Sequence, residues 1–275
     1  MTVEIDDKLF EALSGEITPK FLATASADGE PNIVPVISIE PWDKHTLIFG
    51  DLMIWKTKNN LMEQPRVGVG VLTTDMKCWT LKGVFEGFER TGERYDQVGM
   101  RELFRYNAYS GLRGCGSIRV EDARRIRGLI SPARIAEMAF ASIDSLGVKF
   151  DHTGPMPPQV TEKFSRSKAA KFISFIDTDG YPVALPALTM FPAGHDVLEI
   201  GAGALKYPDG VAPAVPFRAA AAIITSDPIA YQIKGTVTGF VNRLGVKLAR
   251  LEVDKAFAAS PPIPGKLISA AGTTT

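Results

Sequence analysis

The sequence predicts a mainly β fold with peripheral helices, built from two tandem copies of one unit. Short apolar segments of strand length recur along the chain between turn residues. The segment that begins at Lys20 recurs at Lys171, at a constant offset of 151 positions. Sixteen identities relate residues 20–88 to the second copy, against about four or five expected from average composition. A repeat of this length predicts two similar domains in one chain.

Each copy begins with a short amphipathic helix and continues as antiparallel strands. Asp6 is predicted to cap the first helix, and Thr161 is predicted to cap its counterpart. The Asp28–Gly29 pair is a strong hairpin signal between the segments KFLATASA and PNIVPVISI. Further short strands follow as HTLIFG, RVGVGVL and CWTLKGVFEGFER. This spacing is typical of a small barrel.

The first copy carries additional residues before the second copy begins. Residues 93–111 have helical periodicity, and GSIRVEDARRI has the pattern of a closing strand. A further helix is predicted over 131–147, with Ser131 as its cap and Pro132 in its first position. The proline-rich segment HTGPMPPQ is typical of a boundary. We therefore predict domains at 1–155 and 156–275.

Composition argues against several classes of function. The 31 basic and 31 acidic residues give a net charge of zero, so no overall field attracts the chain to nucleic acid. The apolar runs are too short to span a bilayer, and the N-terminus lacks a secretory pattern. We therefore expect a cytoplasmic protein with no nucleic-acid or membrane partner. Three scattered histidines and two cysteines without CxxC spacing predict no metal site.

Polar residues are concentrated in the crossing between two apolar strands, in the sequence FGDLMIWKTKNNLMEQPRVGVGVL. Lys56 and Lys58 supply positive charge at this crossing. Thr57 supplies a hydroxyl donor and Asn60 supplies an amide. If TKNNLMEQ forms a helix, its first N–H groups and the positive end of its dipole face the same place. Because a phosphate monoester requires cations and donors of these kinds, the crossing predicts a phosphate site.

These segments resemble the flavin mononucleotide (FMN)-binding split-barrel family, which includes pyridoxamine 5'-phosphate oxidase-like proteins and small bacterial FMN-binding proteins. The resemblance covers residues 21–92 through LATASADGEPNIVPV, TLIFG, KTKNNLMEQPRV and LKGVFEGFERTG, in family order. Its most specific part is the pattern Lys-Thr-x-x-Asn-apolar at residues 56–61. The resemblance implies two split β-barrels and a bound FMN whose phosphate lies at this crossing.

The resemblance also implies contacts to the flavin ring. In the family, the backbone of the second strand lies along the ring, which makes Val34, Pro35 and Val36 candidate ring contacts as well as core residues. Trp55 is a candidate for stacking near the cofactor, or for the β core. Lys82 is a candidate cation near the phosphate or the ring, and it recurs in the second copy.

The second copy lacks the polar residues of this crossing. At the offset of 151, the positions of Lys56, Thr57 and Lys58 are taken by Tyr207, Pro208 and Asp209. Proline removes a backbone donor, and aspartate has the wrong charge for a phosphate. In the family, barrels pair as two-fold dimers with flavin between the subunits. We therefore expect an intrachain pseudo-dimer with one FMN, and two chains could pair further as a homodimer.

The resemblance implies an FMN-dependent oxidoreductase acting on an unidentified small molecule. No residue stands out as an acid or base, so the catalytic residues stay unassigned. One alternative is an FMN-binding electron carrier or flavin store with only a redox partner. A deazaflavin could replace FMN, and haem is the weaker alternative because the histidines are few. Arg101, Arg105 and Arg113, near Tyr106 and Tyr109, are candidate substrate contacts or a solvated helix face.

Overall fold

The structure is a computed structural model, and it describes residues 3–52, 54–101, 111–147, 154–260 and 264–271. The strands of the first copy are β1 (Lys20–Ala25), β2 (Pro31–Pro35), β3 (Glu40–Pro41), β4 (Thr46–Gly50), β5 (Arg66–Leu72), β6 (Cys78–Glu89) and β7 (Cys115–Ile126). Those of the second copy are β8 (Ala170–Ser174), β9 (Leu185–Pro186), β10 (Phe191–Pro192), β11 (Val197–Gly201), β12 (Phe217–Ile224), β13 (Ala230–Arg243), β14 (Val246–Ala258) and β15 (Leu267–Ala270). The helices are α1 (Asp7–Ser14), α2 (Trp55–Glu63), α3 (Glu93–Gly99), α4 (Pro132–Leu146) and α5 (Pro158–Ser165), with a short 3-10 helix at Ala202–Ala204.

The two sheets have the same strand order. The first runs β2-β1-β5-β6-β7-β4-β3, and the second runs β9-β8-β12-β13-β14-β11-β10, with β15 added beside β14. Each strand of the second sheet other than β15 therefore occupies the position of its counterpart in the first sheet. All of the strand pairs are antiparallel, and Phe21 pairs with Pro35 as Phe172 pairs with Pro186. The predicted fold, two tandem mainly β copies with peripheral helices, is confirmed.

Alternate residues of the central strands face two different cores. Leu22 and Val69 point into the core of the first sheet. Phe21 and Ala23, their neighbours on the other face of the strand, join a core that includes Phe172 and other residues of the second copy. The strands are buried on both faces because each sheet packs on the other copy. This shared core is what joins the two sheets into one body.

A pseudo-two-fold axis relates the copies. Phe21 and Phe172, which are repeat equivalents, stack with their ring centroids 4.4 Å apart, as they would beside such an axis. Ion pairs cross the interface in both directions: Lys82 reaches Asp177 of the second copy at 2.5 Å, and Lys234 reaches Glu30 of the first copy at 2.6 Å. The expected intrachain pseudo-dimer is therefore the arrangement observed.

Strand register corrects the alignment of the repeat in one place. Lys20 pairs with Val71, whereas Lys171 pairs with Ile223, so β5 and β12 are related by an offset of 152. The extra residue of the second copy therefore lies before β12. The predicted pairing of Pro65 with Pro216 was wrong, and Arg66 is the equivalent of Arg218.

The helix caps were predicted with mixed success. Asp6 caps α1 by accepting from the Leu9 N–H at 2.7 Å, as predicted. Ser131 likewise accepts from the Arg134 N–H at the start of α4. The prediction for Thr161 was wrong, because α5 already begins at Pro158 and Thr161 lies inside the helix. Its hydroxyl donates to the carbonyl of Met156, which precedes the helix.

The additional residues of the first copy are divided between the two sheets: α3 and β7 belong to the first, whereas α4 packs on the second. Residues 93–99 are helical as predicted, whereas 102–110, with Arg105, Tyr106 and Tyr109, lie outside the described residues. Helix α4 belongs to the first copy by sequence, yet its Ala141 packs against Phe191 of the second. The domain boundary near residue 155 stays a prediction. Within the described ranges, no helix is long and apolar enough to cross a membrane.

Candidate functional site

A cavity of about 560 Å³ opens between the two copies, and we call it the first cleft. The first copy lines it with residues 34–38, Gly50, Leu52 and 54–57, and the second copy with Ile224, 227–230, Ala259, Ser260, Pro264 and Gly265. The lining is mostly apolar, and its charged members are Lys56 and Asp227. Its volume lies within the range of small-molecule sites.

Helix α2 directs its N-terminus at this cavity. The predicted helix at the crossing is confirmed, and it begins at Trp55 with no side-chain cap at Ile54. The first hydrogen bond within the helix is donated by the Lys58 N–H to the Ile54 carbonyl, at 2.7 Å. The N–H groups of the three preceding residues therefore have no acceptor within the helix. These donors and the positive end of the helix dipole favour an anion in the cleft.

Thr57 is held in place by a buried network that crosses between the copies. Its Oγ1 accepts from Asn32 Nδ2 at 3.3 Å, and Asn32 Oδ1 accepts from Gln232 Nε2 of the second copy at 3.0 Å. Among the described residues, the Thr57 hydroxyl contacts no acceptor of its own. Because Thr57 is buried and lines the cleft, its hydroxyl proton is available for donation to a ligand.

Two predicted site residues do not line the first cleft. The Lys58 ammonium forms an ion pair with Asp51 and lies 4.7 Å from the centroid of the Phe88 ring. Asn60 is buried, and its Nδ2 donates to Thr24 Oγ1 at 3.0 Å. The same Thr24 oxygen accepts from Asn32 at 3.2 Å. Asn60 therefore supports the network behind Thr57, whereas Lys58 is neutralised elsewhere.

Lys56 is a positively charged residue in the lining of the first cleft. Its ammonium lies 4.6 Å from the centroid of the Phe257 ring, which belongs to the second copy. Its other close polar neighbour is the Lys234 ammonium, whose pKa is lowered in part by it. Among the described residues, Lys56 forms no ion pair. A cation without a carboxylate, at the N-terminus of a helix, is well suited to bind an anion.

The remaining candidates of the first copy lie along the cleft wall and at its mouth. Val34, Pro35 and Val36 form part of the wall. Trp55 is not a core residue, because it is 58% exposed, and the Arg113 guanidinium lies 3.8 Å from its ring centroid. Arg101 is buried instead, where it pairs with Glu40 at 3.2 Å. Both predicted substrate contacts that the structure describes reach a residue of the cleft, since Arg113 lies over Trp55 and Arg101 donates to the Ser38 carbonyl at 3.2 Å.

Lys82 lies on the other side of the pseudo-two-fold axis. Its ammonium contacts Asp177 and Asp179 and lies 4.1 Å from the ring centroid of Tyr207. Lys82, the candidate cation near the phosphate or the ring, therefore does not line the first cleft, and its repeat equivalent Lys234 is the neighbour of Lys56 instead. The physical reason is that each cleft is completed by the other copy. Strand β13 of the second copy carries Lys234 to the first cleft, and its equivalent β6 carries Lys82 to the second cleft. Combining the repeat with the two-fold pairing would have identified Lys234 from sequence.

Protein side chains fill the equivalent second cleft. Tyr207, at the position of Lys56, is buried, and its hydroxyl donates to Asp122 Oδ2 at 3.1 Å. Burial and the neighbouring Asp122 carboxylate raise the pKa of Tyr207, so it stays neutral. Gly201 is the equivalent of Gly50, and a Cβ added to Gly201 would lie 2.1 Å from a carboxylate oxygen of Glu137 in α4. The additional helix of the first copy therefore covers this cleft.

Comparison with known proteins gives matches to solved structures only. No family model matches the chain, and no curated protein matches it. An FMN-binding protein from Syntrophomonas wolfei is 20% identical and covers 44% of this chain and 88% of its own, with a TM-score of 0.40. A Lactobacillus delbrueckii protein provisionally described as a pyridoxamine 5'-phosphate oxidase is 14% identical, with coverages of 44% and 93% and a TM-score of 0.37. The haem storage protein HutZ from Vibrio cholerae is 20% identical, with coverages of 44% and 94% and a TM-score of 0.34. Each of these matches spans about the length of one copy.

Proposed function

We propose that the first cleft binds FMN and that the protein is an FMN-dependent oxidoreductase acting on a small molecule. The observation that carries this proposal is Lys56, a cation without an acidic partner among the described residues, at the N-terminus of α2 in an apolar cavity. A phosphate monoester brings close to two negative charges and three acceptor oxygens. Lys56, the Thr57 hydroxyl and the unpaired N–H groups of α2 provide the matching charge and donors.

The rest of the cleft fits the remainder of the cofactor. Val34, Pro35 and Val36 form an apolar wall along which a flat ring system would lie. The second copy supplies the opposite wall with Ile224 and Ile229, so a bound ring would be shielded from water on both sides. When bound, FMN supplies hydride or electron transfer.

The charged residues that line the cleft in the described part of the chain are assigned to binding and orientation. The charged residues that line the cleft are Lys56 and Asp227, and Asp227 pairs with Arg166 at 2.9 Å. Neither is assigned as an acid or base. A cleft with apolar walls from both copies favours an enzyme that binds a small substrate over a carrier that exposes its flavin to a redox partner.

The proposal is tested first by the visible spectrum of the purified protein, before and after incubation with FMN. We expect the absorption bands of oxidised flavin. A Soret band would instead indicate haem, and a single violet band without the two-band pattern of an oxidised flavin would indicate a deazaflavin at the same site. A protein that retains no flavin after incubation would contradict the proposal.

A kinetic measurement then separates the enzyme from the carrier. The reconstituted protein is reduced anaerobically and mixed with increasing concentrations of a quinone or a nitroaromatic compound. An oxidoreductase that binds its substrate is expected to give reoxidation rates that saturate with one class of acceptor. Rates that rise linearly with every acceptor would indicate an electron carrier.

A further inference from the structure

Glu30, in the turn between β1 and β2, forms ion pairs with three cations of the second copy. Its carboxylate contacts Lys234 at 2.6 Å, Arg218 at 3.1 Å and Lys255 at 3.7 Å. Burial acts in the opposite direction, but the hydrogen bonds and charges of these residues lower the pKa of Glu30 to about 2. Glu30 is therefore an anion at every physiological pH, and its partner Lys234 is in turn the neighbour of Lys56.

Lys234 separates this anion from Lys56. Its ammonium is buried, donates to Glu30 and has the Lys56 ammonium as its other charged neighbour. Without Lys234, Glu30 would keep Arg218 and Lys255, but the cation between Glu30 and Lys56 would be gone. A pair of Glu30 with Lys56 would then compete with a phosphate for the same cation. With Lys234 present, Glu30 is engaged and Lys56 is repelled towards the cleft.

We infer that Lys234 is a positioning residue that keeps the Lys56 ammonium unpaired and directed into the first cleft, where it receives the phosphate. This inference rests on the proposed FMN site. Lys234 does not line the cleft, so it acts through Glu30 and Lys56 rather than by touching the ligand. The second copy thereby takes part in cofactor binding although it has no phosphate cradle of its own.

The charge of Lys234 makes this arrangement dependent on pH. Burial and the Lys56 ammonium lower the pKa of Lys234 to about 8, against the opposing effect of Glu30. The other charged groups around Glu30 are Arg218, its partner Asp254, and Lys255. Above pH 8, Lys234 loses its proton and its hold on Glu30. We therefore expect FMN affinity to fall between pH 7 and 9, with uptake of a proton on binding.

The substitution Lys234→Met tests the inference with FMN and with riboflavin, which lacks the phosphate. Dissociation constants are measured at pH 7 by the quenching of flavin fluorescence. We expect Lys234→Met to weaken FMN about tenfold, which corresponds to about 1.4 kcal/mol, and to leave riboflavin unchanged. Adding Glu30→Gln should restore FMN affinity, because the competing carboxylate is removed. The matched control is Lys82→Met, which removes the repeat-equivalent lysine from the other cleft and should leave FMN affinity unchanged.

The outcomes separate this inference from the proposed function. Unchanged FMN affinity in Lys234→Met, or a double variant without rescue, would overturn the positioning role while leaving the FMN site intact. A wild-type protein that binds riboflavin as tightly as FMN would overturn the phosphate site itself. Should Lys234→Met fail to fold, the wild-type pH series decides, since a constant FMN affinity from pH 7 to 9 would refute the role of Lys234.

Discussion

A lysine without a carboxylate partner is costly in an apolar cleft, and Lys56 is such a lysine among the described residues. Its ammonium is partly compensated by the face of the Phe257 ring at 4.6 Å. Lys58, two positions later, has the common arrangement of an ion pair with Asp51. The contrast between these neighbours distinguishes a residue that is available to a ligand from one that stabilises the fold.

Replacing Lys56 and Thr57 together should remove FMN without unfolding the protein. Each lost charge-assisted hydrogen bond is worth about 1.5–3 kcal/mol, so Lys56→Ala with Thr57→Ala should weaken FMN binding by about a hundredfold or more. Flavin retained after gel filtration measures the loss, and circular dichroism checks the fold. The control is Lys58→Ala, which should retain flavin. A double variant that keeps its flavin would contradict the placement of the phosphate.

Replacing Lys171 should stabilise the protein. This side chain is fully buried, its ammonium donates to the Met190 carbonyl at 2.7 Å, and burial lowers its pKa from 10.5 to about 7. The unfolded chain retains this proton up to about pH 10.5, whereas the folded protein releases it near pH 7. Burial of Lys171 therefore costs stability at neutral pH, and the cost diminishes as pH rises towards 10.5.

We expect Lys171→Met to raise the free energy of unfolding by about 2 kcal/mol at pH 7, and by less at pH 9.5. Urea titrations of both proteins at the two pH values measure this difference. A variant that is less stable than the wild type at pH 7, or a difference that grows with pH, would show that Lys171 is charged and favourably bound in the folded state.

At the scale of elements, the two copies have similar strands but different connections between the fourth and the fifth strand of each copy. The segment WKTKNNLME contains no proline or glycine and forms the nine-residue helix α2. In the second copy, KYPDGVAPAVP contains prolines and a glycine, and only the 3-10 helix at Ala202–Ala204 forms beforehand. The strand frame is retained in both copies, whereas the anion-binding helix is present in one.

Close packing of β5 against the second copy predicts the effect of adding a methyl group at Gly70. A Cβ at this position would lie 2.3 Å from Cε1 of Phe172, which stacks on Phe21. We expect Gly70→Ala to destabilise the protein by about 1–3 kcal/mol, because the shared core must shift. The control is Gly239→Ala, where a Cβ meets nothing within 4 Å. Equal midpoints of thermal unfolding for the two variants would contradict this packing.

Local pattern was sufficient to predict the strands, the hairpins and helix α2, because their signals lie within a few consecutive residues. It was not sufficient for Lys82 and Lys234. Their assignment depends on which copy completes which cleft, and that is decided by packing across the pseudo-two-fold axis. The same limit applies to Lys58, since its partner Asp51 precedes the helix and sequence alone does not show which way the side chain turns.

At the scale of the whole molecule, the two copies have divided their roles. The first supplies the anion-binding helix, and the second supplies Lys234 and one wall of the same cleft. The second cleft is filled by Tyr207 and covered by α4, a helix that the first copy added. Fusion of the two copies in one chain allows their clefts to differ, because the two subunits of a homodimer share one sequence and have equivalent clefts. The further pairing of chains as a homodimer stays a prediction.

The most direct test of a single cofactor site in the first cleft is a calorimetric titration of the chain with FMN. The predicted result is one FMN per chain, with binding abolished by Lys56→Ala combined with Thr57→Ala and retained when Tyr207 is replaced by Phe. Two FMN molecules per chain would contradict this account. So would one FMN whose binding is lost on replacing Tyr207 and survives the changes at Lys56 and Thr57.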